Sequence, residues 1–260
     1  MTSNEIIRIL ERMAPTRFAC DWDNVGLLAG RREKEVGRLA LALEVSDEVV
    51  DRCLKEKVDM LVTYHPILFH KISRVNDDSY RGRWLLSFLQ NDIVCYAFHT
   101  NFDVAPEGFS DEAADRLGLL QRRILLMTQK RDEILYGRGR YGVPEIPCTI
   151  DGLAEEIPEL FGIEDVKTYT RYGGKIAEKI AICTGNGQEF IAPAEQTECD
   201  VLICGGVSET AGMDAAKEGV SVIDVGPLGL EPLFARLVQK RLEKELDDKV
   251  ELVILGPEGW

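Results

Sequence analysis

The stretch Asp59-Met-Leu-Val-Thr-Tyr-His-Pro-Ile-Leu-Phe-His70 decides the fold, because its apolar beginning predicts a buried strand that ends at Thr63. A second predicted strand, Ile93-Val-Cys-Tyr-Ala-Phe98, is followed in the same way by His99-Thr-Asn-Phe-Asp103. Open α/β sheets bind their ligands outside the carboxyl ends of the strands. The chain has 3 histidines, and all of them lie in the loops predicted after these two strands. Imidazole and carboxylate groups at such an edge predict a metal site or an acid–base site.

The composition is that of an ordinary globular protein. At 260 residues, with 45% hydrophobic and 29% charged residues, the chain is long for one domain and suits two. Its net charge of −14 argues against nonspecific binding to nucleic acid or to an anionic membrane. No apolar run reaches the roughly 20 residues of a membrane helix, and the first residues lack a secretory pattern. The 7 cysteines include no Cys-x-x-Cys pair, so we expect reduced thiols and a cytoplasmic protein.

Predicted strands and helices alternate along the chain, which favours an α/β fold. The first helix begins with a capping box, Thr2-x-x-Glu5, and Pro15 ends it. Serines are predicted as N-caps of three later helices, and Pro232 as the first residue of the last helix. These serines are Ser46, Ser110 and Ser208.

The second half of the chain resembles the first. A shift of 141 residues places Leu39 on Ile180 and Asp59 on Asp200, and it aligns a strand–helix–strand pattern in both halves. One interpretation is an internal duplication of an α/β unit. The other is chance similarity between two such units.

A basic stretch rich in glycine and proline, residues 121–148, separates the halves and contains Gly137-Arg-Gly-Arg-Tyr-Gly142. Arg138 and Arg140 could lie on a flexible loop that meets a phosphate or another part of a substrate. Tight turns at the start of a second domain are the interpretation that we favour, because Gly-x-Gly without a strand–helix context is a weak signal.

Several long motifs resemble the GTP cyclohydrolase 1 type 2 homolog family, whose members are also called Nif-three-like or dinuclear-metal YbgI-type proteins. They occur in the family's order across nearly the whole chain. The motifs are Trp22-Asp-Asn-Val-Gly-Leu27, the His-Pro after the Asp59 strand, His99-Thr-Asn-Phe-Asp103, Gly139-Arg-Tyr-Gly142, Ile182-Cys-Thr-Gly-Asn-Gly187 and Val222-Ile-Asp-Val-Gly226 with Glu231.

The resemblance implies two intertwined, duplicated α/β halves with mixed sheets flanked by helices. We place the halves at residues 1–123 and 124–260, with the C-terminal segment packing back on the first half. Side chains from both halves would meet at one cleft. The resemblance also implies a homo-oligomeric ring, usually a hexamer, with a two-metal site in each subunit.

Carried over residue by residue, the metal site is reduced. The family has two histidines where this chain has Tyr64 and His65, and Pro227 and Thr210 stand where two further histidines are expected. His65, Asp103 and Glu231 remain and would hold one divalent metal per subunit. One imidazole and two carboxylates suit Mg²⁺ or Mn²⁺ better than Zn²⁺. The resemblance leaves the metal open (Mn, Fe, Mg or Zn), and the losses leave open that no metal binds.

Three neighbouring side chains are candidates for an auxiliary role at the metal site. Tyr64 could ligate as a phenolate, but a packed ring is the better interpretation. His70 could replace a lost histidine, although a surface histidine is commoner after a strand. His99 more readily orients its loop through its ring nitrogens than binds metal.

Three functions follow from these residues. The first is a metal-dependent hydrolase that acts on a phosphorylated or nucleotide-like small molecule. The second is a ring-forming scaffold or binding protein that has lost the metal site and its activity. The third is metal storage or sensing without chemistry. No guanine-recognition motif is identifiable, so the substrate stays open.

Overall fold

The computed structural model describes residues 1–246, 248 and 250–256. The chain divides into two compact units: unit 1 is Met1–Phe102 with Pro232–Trp260, and unit 2 is Asp103–Glu231. The boundary placed between residues 123 and 124 from the sequence falls inside unit 2, within a strand. Residues 257–260 of the predicted second half lie outside the described residues. No helix in the described part is long and apolar enough to cross a membrane.

Helices and strands alternate as the sequence predicts. The strands are β1 (Gly26–Ala29), β2 (Arg38–Ala42), β3 (Met60–Thr63), β4 (Val94–Ala97), β5 (Leu119–Arg131), β6 (Ile134–Pro144), β7 (Lys167–Tyr169), β8 (Ile180–Asn186), β9 (Val201–Gly205), β10 (Ser221–Asp224) and β11 (Glu251–Ile254). The helices are α1 (Ser3–Met13), α2 (Asp47–Lys55), α3 (Tyr80–Gln90), α4 (Thr100–Val104), α5 (Phe109–Arg116), α6 (Ile150–Phe161), α7 (Ile191–Gln196), α8 (Glu209–Glu218) and α9 (Phe234–Leu242).

Unit 1 is built from both ends of the chain. Within its described residues a five-stranded sheet has the order β1-β4-β3-β2-β11. β2, β3 and β4 run parallel, β11 joins β2 in parallel, and β1 pairs antiparallel with β4. Residues of β3 and β4 are all buried, as expected for parallel strands covered on both faces. Apolar side chains of α2 and α3, including Cys53 and Phe88, pack on Leu61 and its neighbours.

Unit 2 repeats this plan with one more strand among its described residues, in the order β5-β6-β8-β9-β10-β7. β8, β9 and β10 are parallel, and β7 lies antiparallel on β10 as β1 does on β4. The place of β11 is taken by β6, which runs antiparallel to β8. The mixed α/β fold class predicted from the sequence is therefore confirmed.

The repeat extends to individual hydrogen bonds. The Asp59 carboxylate accepts backbone N–H groups of Gly37 and Arg38 at 2.8 and 3.0 Å. The Asp200 carboxylate accepts those of Glu178 and Lys179, both at 2.9 Å. A lysine pairs with each aspartate, and the same 141-residue shift relates the two lysines, Lys34 and Lys175. Chance similarity of two α/β units does not predict equivalent side-chain contacts, so the duplication is the better interpretation.

Local sequence explains how the helices begin. Thr2 and Glu5 form the predicted capping box of α1, with the Thr2 N–H donating to Glu5 Oε2 at 2.8 Å. Ser46 and Ser208 cap α2 and α8 as predicted. The Ser110 prediction is wrong: α5 begins two residues earlier, with Gly108 as its N-cap, and the buried Ser110 hydroxyl accepts the Gly139 N–H at 3.0 Å.

Residues 137–142 form neither turns nor a loop, which corrects both interpretations. They lie in β6, which pairs along most of its length with β5. The turn is made by Asp132 and Glu133, both with positive φ. Glycine is required inside this strand because a Cβ on Gly137 would lie 2.2 Å from the Leu126 carbonyl oxygen.

Two further segments have a secondary structure that differs from the predicted one. Residues 100–104, predicted as a loop, form the short helix α4. Pro232 lies in a 3-10 helix, Glu231–Leu233, that precedes α9, so it is not the first residue of the α-helix itself.

The cysteines behave as small hydrophobic residues, as predicted. Cys53, Cys95, Cys183 and Cys204 are buried, and no disulfide bond links cysteines of the described chain. Burial raises the pKa of the Cys53 thiol to about 12, so it stays protonated at neutral pH.

Candidate functional site

A cluster of aromatic rings lies at the carboxyl ends of β3 and β4 in unit 1. Tyr64 is only 2% exposed, and its ring centroid lies 5.2 Å from that of His99 and 5.3 Å from that of Phe234. The His65 and His99 rings are 5.5 Å apart. Tyr64 therefore acts as a packed core ring, in agreement with the interpretation preferred from the sequence.

His99 is held by a buried carboxylate that sequence reasoning did not assign. Both oxygens of Asp23 lie 2.9 Å from His99 Nδ1, and Asp23 also accepts the Thr100 hydroxyl at 2.6 Å. Because this pairing takes Nδ1, Nε2 is the ring nitrogen that remains for another partner. The sequence carried one signal for Asp23, its position in the Trp22-Asp-Asn motif.

The surroundings of Asp23 favour its charged form. Burial alone would raise the pKa of this carboxyl, but the hydrogen bond and charge of His99, together with the Thr100 hydroxyl, hold the pKa below its ordinary value. His99 itself has φ of +143°, a conformation that side-chain-bearing residues rarely adopt. Backbone strain of this kind is concentrated at functional sites, so the Asp23–His99 pair makes this edge of unit 1 a candidate functional site.

A cleft of about 620 Å³ opens at the same edge, beside His65 and His99. It is lined by residues that follow β2, by the segment after β3, by the first two turns of α3 and by His99. Its polar and aromatic lining includes Glu44, Asp47, Phe69, Tyr80, Arg81 and Trp84. The volume lies in the usual range for small-molecule sites, about 300–1,000 Å³.

Two carboxylates converge in unit 2. Asp103 is 5% exposed, and its Oδ1 accepts the Thr184 hydroxyl at 3.0 Å. Glu231 lies close to Gly185, the residue after Thr184: a Cβ on Gly185 would be 2.7 Å from Glu231 Oε1. The Leu230 N–H donates to the Thr184 carbonyl at 2.9 Å and fixes the chain that carries Glu231. Thr184 and Gly185 were missed as site residues, although both lie in the quoted motif Ile182–Gly187.

The remaining candidates lie apart from these two groups or have other partners. His70 is exposed and stacks edge-on with Phe69, their centroids 4.9 Å apart. Arg138 makes a bidentate ion pair with Glu189 at 2.8 and 2.6 Å, and the buried Arg140 pairs with Asp111. These arginines thus link elements of unit 2. Across the described residues, no group of three or more His, Cys, Asp or Glu side chains is arranged to hold a metal ion.

Thr210 and Pro227, which stand where the resemblance expects histidines, are both exposed in the structure. Thr210 lies on α8, and Pro227 follows β10. Neither offers an imidazole, and the hydroxyl and the ring do not replace one as a metal ligand.

The fold and these side chains define a class of protein: a duplicated mixed α/β protein with histidines and carboxylates at strand ends. The chain belongs to the Duf34/NIF3 (NGG1p interacting factor 3) family, which it matches over residues 1–257.

Its relatives include two clostridial proteins named GTP cyclohydrolase 1 type 2 homolog. The one from Clostridium perfringens is 30% identical over 98% of this chain and 96% of its own length. The one from Clostridium acetobutylicum is 32% identical over 93% and 90%, respectively. Among solved structures, reduced HcgD from Methanocaldococcus jannaschii has a TM-score of 0.81 at 28% identity, covering 98% of both chains. A Bacillus cereus protein related to NIF3 has a TM-score of 0.87 at 21% identity, covering 100% of this chain and 98% of its own.

Proposed function

We propose that the chain is a metal-binding protein that holds one divalent cation through Asp103 and Glu231 and uses it to hydrolyse a phosphorylated or nucleotide-like small molecule. The observation that carries the proposal is the convergence of both carboxylates on the Thr184–Gly185 segment of unit 2. The sequence resemblance adds His65 as the nitrogen ligand.

The two carboxylates have the donor chemistry of a hard divalent ion's ligands. Carboxylate oxygens suit Mg²⁺ and Mn²⁺, and a single imidazole is compatible with either. Gly185 supports the fit, because any larger residue would push the Glu231 carboxylate away from the segment that holds Asp103. Thr184 orients Asp103 by donating its hydroxyl to Oδ1, as residues behind a metal ligand commonly do. When bound, the ion supplies the Lewis-acid chemistry that favours hydrolysis of phosphate esters.

Metal content of the purified, untagged protein tests the proposal. We expect about one Mn²⁺, Fe²⁺, Mg²⁺ or Zn²⁺ per chain by plasma mass spectrometry. Asp103→Asn and Glu231→Gln should each weaken binding severely, and Thr184→Val by about 10- to 100-fold, as for residues that orient a ligand. Glu195→Gln is the matched control, because Glu195 is an exposed carboxylate of the same unit. Wild-type protein that binds none of these ions after incubation would refute the proposal.

A second candidate is a ring-forming scaffold without catalysis, supported by Tyr64. This residue packs as a buried ring where the resemblance expects a metal-ligating histidine. A hexamer by light scattering that binds no metal and turns over no member of a phosphoester and nucleotide panel would favour the scaffold. A homohexameric ring and a cytoplasmic location are part of both proposals, and a monomer would contradict the ring.

A further inference from the structure

The cleft in unit 1 has the position and the lining of a ligand site. It lies beyond the carboxyl ends of β2 and β3, where open α/β sheets bind their ligands. Glu44 and Asp47 come from the loop after β2 and the start of α2, His65 and Phe69 from the segment after β3. With the start of α3 and with His99, four separate segments of unit 1 contribute side chains to one space of about 620 Å³.

Aromatic rings of the cleft are held in place by their neighbours. Trp84 donates its indole N–H to Asp47 Oδ1 at 2.5 Å, and its ring packs edge-on with Tyr80 at 4.8 Å between centroids. Phe69 lies against His99 with centroids 5.9 Å apart. His99 is fixed in turn by the buried Asp23. Rings that are already oriented bind a flat ligand with little loss of conformational freedom.

Three charged groups of the cleft, Glu44, Asp47 and Arg81, have no strong partner of opposite charge within the described residues. The Glu44 side chain is 64% exposed, and its Oε2 lies 3.8 Å from His65 Nδ1, beyond a hydrogen bond. Arg81 lies over the Tyr80 ring at 4.7 Å, and it forms no ion pair within the described part of the chain. The cleft therefore offers the Glu44 carboxylate as an acceptor and the Arg81 guanidinium as a donor beside its rings, while the Asp47 carboxylate already accepts an indole N–H.

We propose that this cleft binds a flat, amino-substituted heteroaromatic ring that carries an anionic arm. The ring would stack on Trp84 and its aromatic neighbours, its N–H groups would donate to Glu44, and the anionic group would accept from Arg81. The inference names the substrate class of the proposed hydrolase and rests on that function for its catalytic meaning. The binding step itself requires no metal.

Other ligand classes match the lining less well. An organic cation would meet Arg81, which already covers the Tyr80 ring. A hydrocarbon would desolvate Glu44 and Arg81 without replacing their hydrogen bonds to water. A simple anion would leave the rings of Phe69, Tyr80 and Trp84 unused.

Calorimetric titration of the full-length protein in the presence of EDTA tests the inference. The probes are adenosine 5′-monophosphate, adenosine, ribose 5-phosphate and pterin-6-carboxylate. We expect saturable binding of a probe with both a ring and an anionic arm, with Kd below about 1 mM. Tighter binding of the monophosphate identifies a nucleotide source, and tighter binding of the pterin carboxylate identifies a heteroaromatic acid; either result supports the inference.

Substitutions separate the three contacts. Arg81→Gln should weaken the monophosphate about tenfold and leave adenosine unchanged, because only the charge-assisted contact is lost. Glu44→Gln should weaken binding of all three ring-bearing probes by about threefold to tenfold and leave ribose 5-phosphate unchanged. Trp84→Leu should weaken ring-bearing probes, and Trp84→Phe should restore most of that binding. Glu48→Gln and Arg83→Gln, exposed neighbours outside the cleft, are the matched controls.

Two results would overturn the inference: no saturable binding of either anionic ring probe, or equal affinities in the wild type and in the Arg81 and Glu44 variants. Failure of the proposed metal site is distinguishable. Protein that binds the monophosphate in EDTA but never retains an ion supports the cleft and refutes the hydrolase. Protein that retains an ion through Asp103 and Glu231 but binds no ring probe does the reverse.

Discussion

Unit 1 and unit 2 share a strand–helix–strand frame with equivalent aspartates, yet their central strands end in opposite ways. The 141-residue shift places Tyr64 on Gly205 and His65 on Gly206. In unit 1 the strand end bears a buried aromatic ring and an imidazole next to a cleft. In unit 2 the same position is packed against backbone: a Cβ on Gly205 would lie 2.5 Å from Gly229 Cα.

This difference teaches that the frame and the site are specified separately. The aspartate contacts that fix the frame are retained in both units, whereas the residue at the strand end decides whether that edge is open or filled. The filled strand edge of unit 2 also positions a carboxylate. The segment containing Gly229 that fills the edge also carries Glu231 to Thr184 and Gly185.

The largest effect should come from Tyr64→Ala. This change removes a ring that is 2% exposed and packs on Phe234 and His99, so we expect the free energy of unfolding to fall by about 3–5 kcal/mol. Urea unfolding followed by circular dichroism measures it. Tyr64→Phe is the control and should retain most of the stability. A loss below about 1 kcal/mol for the alanine variant would mean that Tyr64 does not support the core as its burial indicates.

Gly205→Ala is the matching change in unit 2. We expect overpacking to lower the free energy of unfolding by about 1–3 kcal/mol. The added methyl group would meet backbone atoms of Gly226 and Gly229 at 2.6 and 2.5 Å, and backbone cannot rotate away as a side chain can. The same urea titration measures the loss. Gly174→Ala is the control, because a Cβ there has no heavy atom within 4 Å. Equal stability of both variants would show that the edge of unit 2 is looser than its contacts indicate.

The smallest effects should come from Asp59→Asn and Asp200→Asn, which test the shared frame. Each variant loses a carboxylate that accepts charge-assisted hydrogen bonds from two backbone N–H groups. We therefore expect the free energy of unfolding to fall by about 1–2 kcal/mol in each variant. Similar losses at both sites would support the equivalence of the units. A loss at only one of them would mean that the two aspartates have similar contacts but do not contribute equally to stability.

The pH dependence of the Asp200 effect has a definite sign. Burial alone would raise the pKa of Asp200, but hydrogen bonds from Lys175 and from the Lys179 and Glu178 N–H groups outweigh it and lower the pKa below its ordinary value. The folded state therefore binds this proton less tightly than the unfolded chain. The stability gap between wild type and Asp200→Asn should be full above the ordinary pKa and should shrink as the pH falls below it.

Much of the fold could be predicted from the sequence, for physical reasons. Continuous apolar runs such as Leu39–Leu43 predict buried strands, and Thr2, Glu5 and Ser46 predict helix starts through bonds to nearby N–H groups. The prediction failed at residues 137–142, where glycines serve a close approach of two strands and not turns. Ser110 failed similarly, because its hydroxyl bonds to the distant Gly139. Local patterns carry no information on such contacts.

The sequence by itself determined the alternation of strands and helices, the 141-residue repeat of the pattern, the family resemblance and the placement of histidines after β3 and β4. All of these depend on residue type and spacing along the chain. Tertiary structure alone decided that Asp23 holds His99, that Thr184 holds Asp103, and that Gly185 leaves room for Glu231. These pairs are 76, 81 and 46 residues apart, and only the packing of their strands brings them into contact.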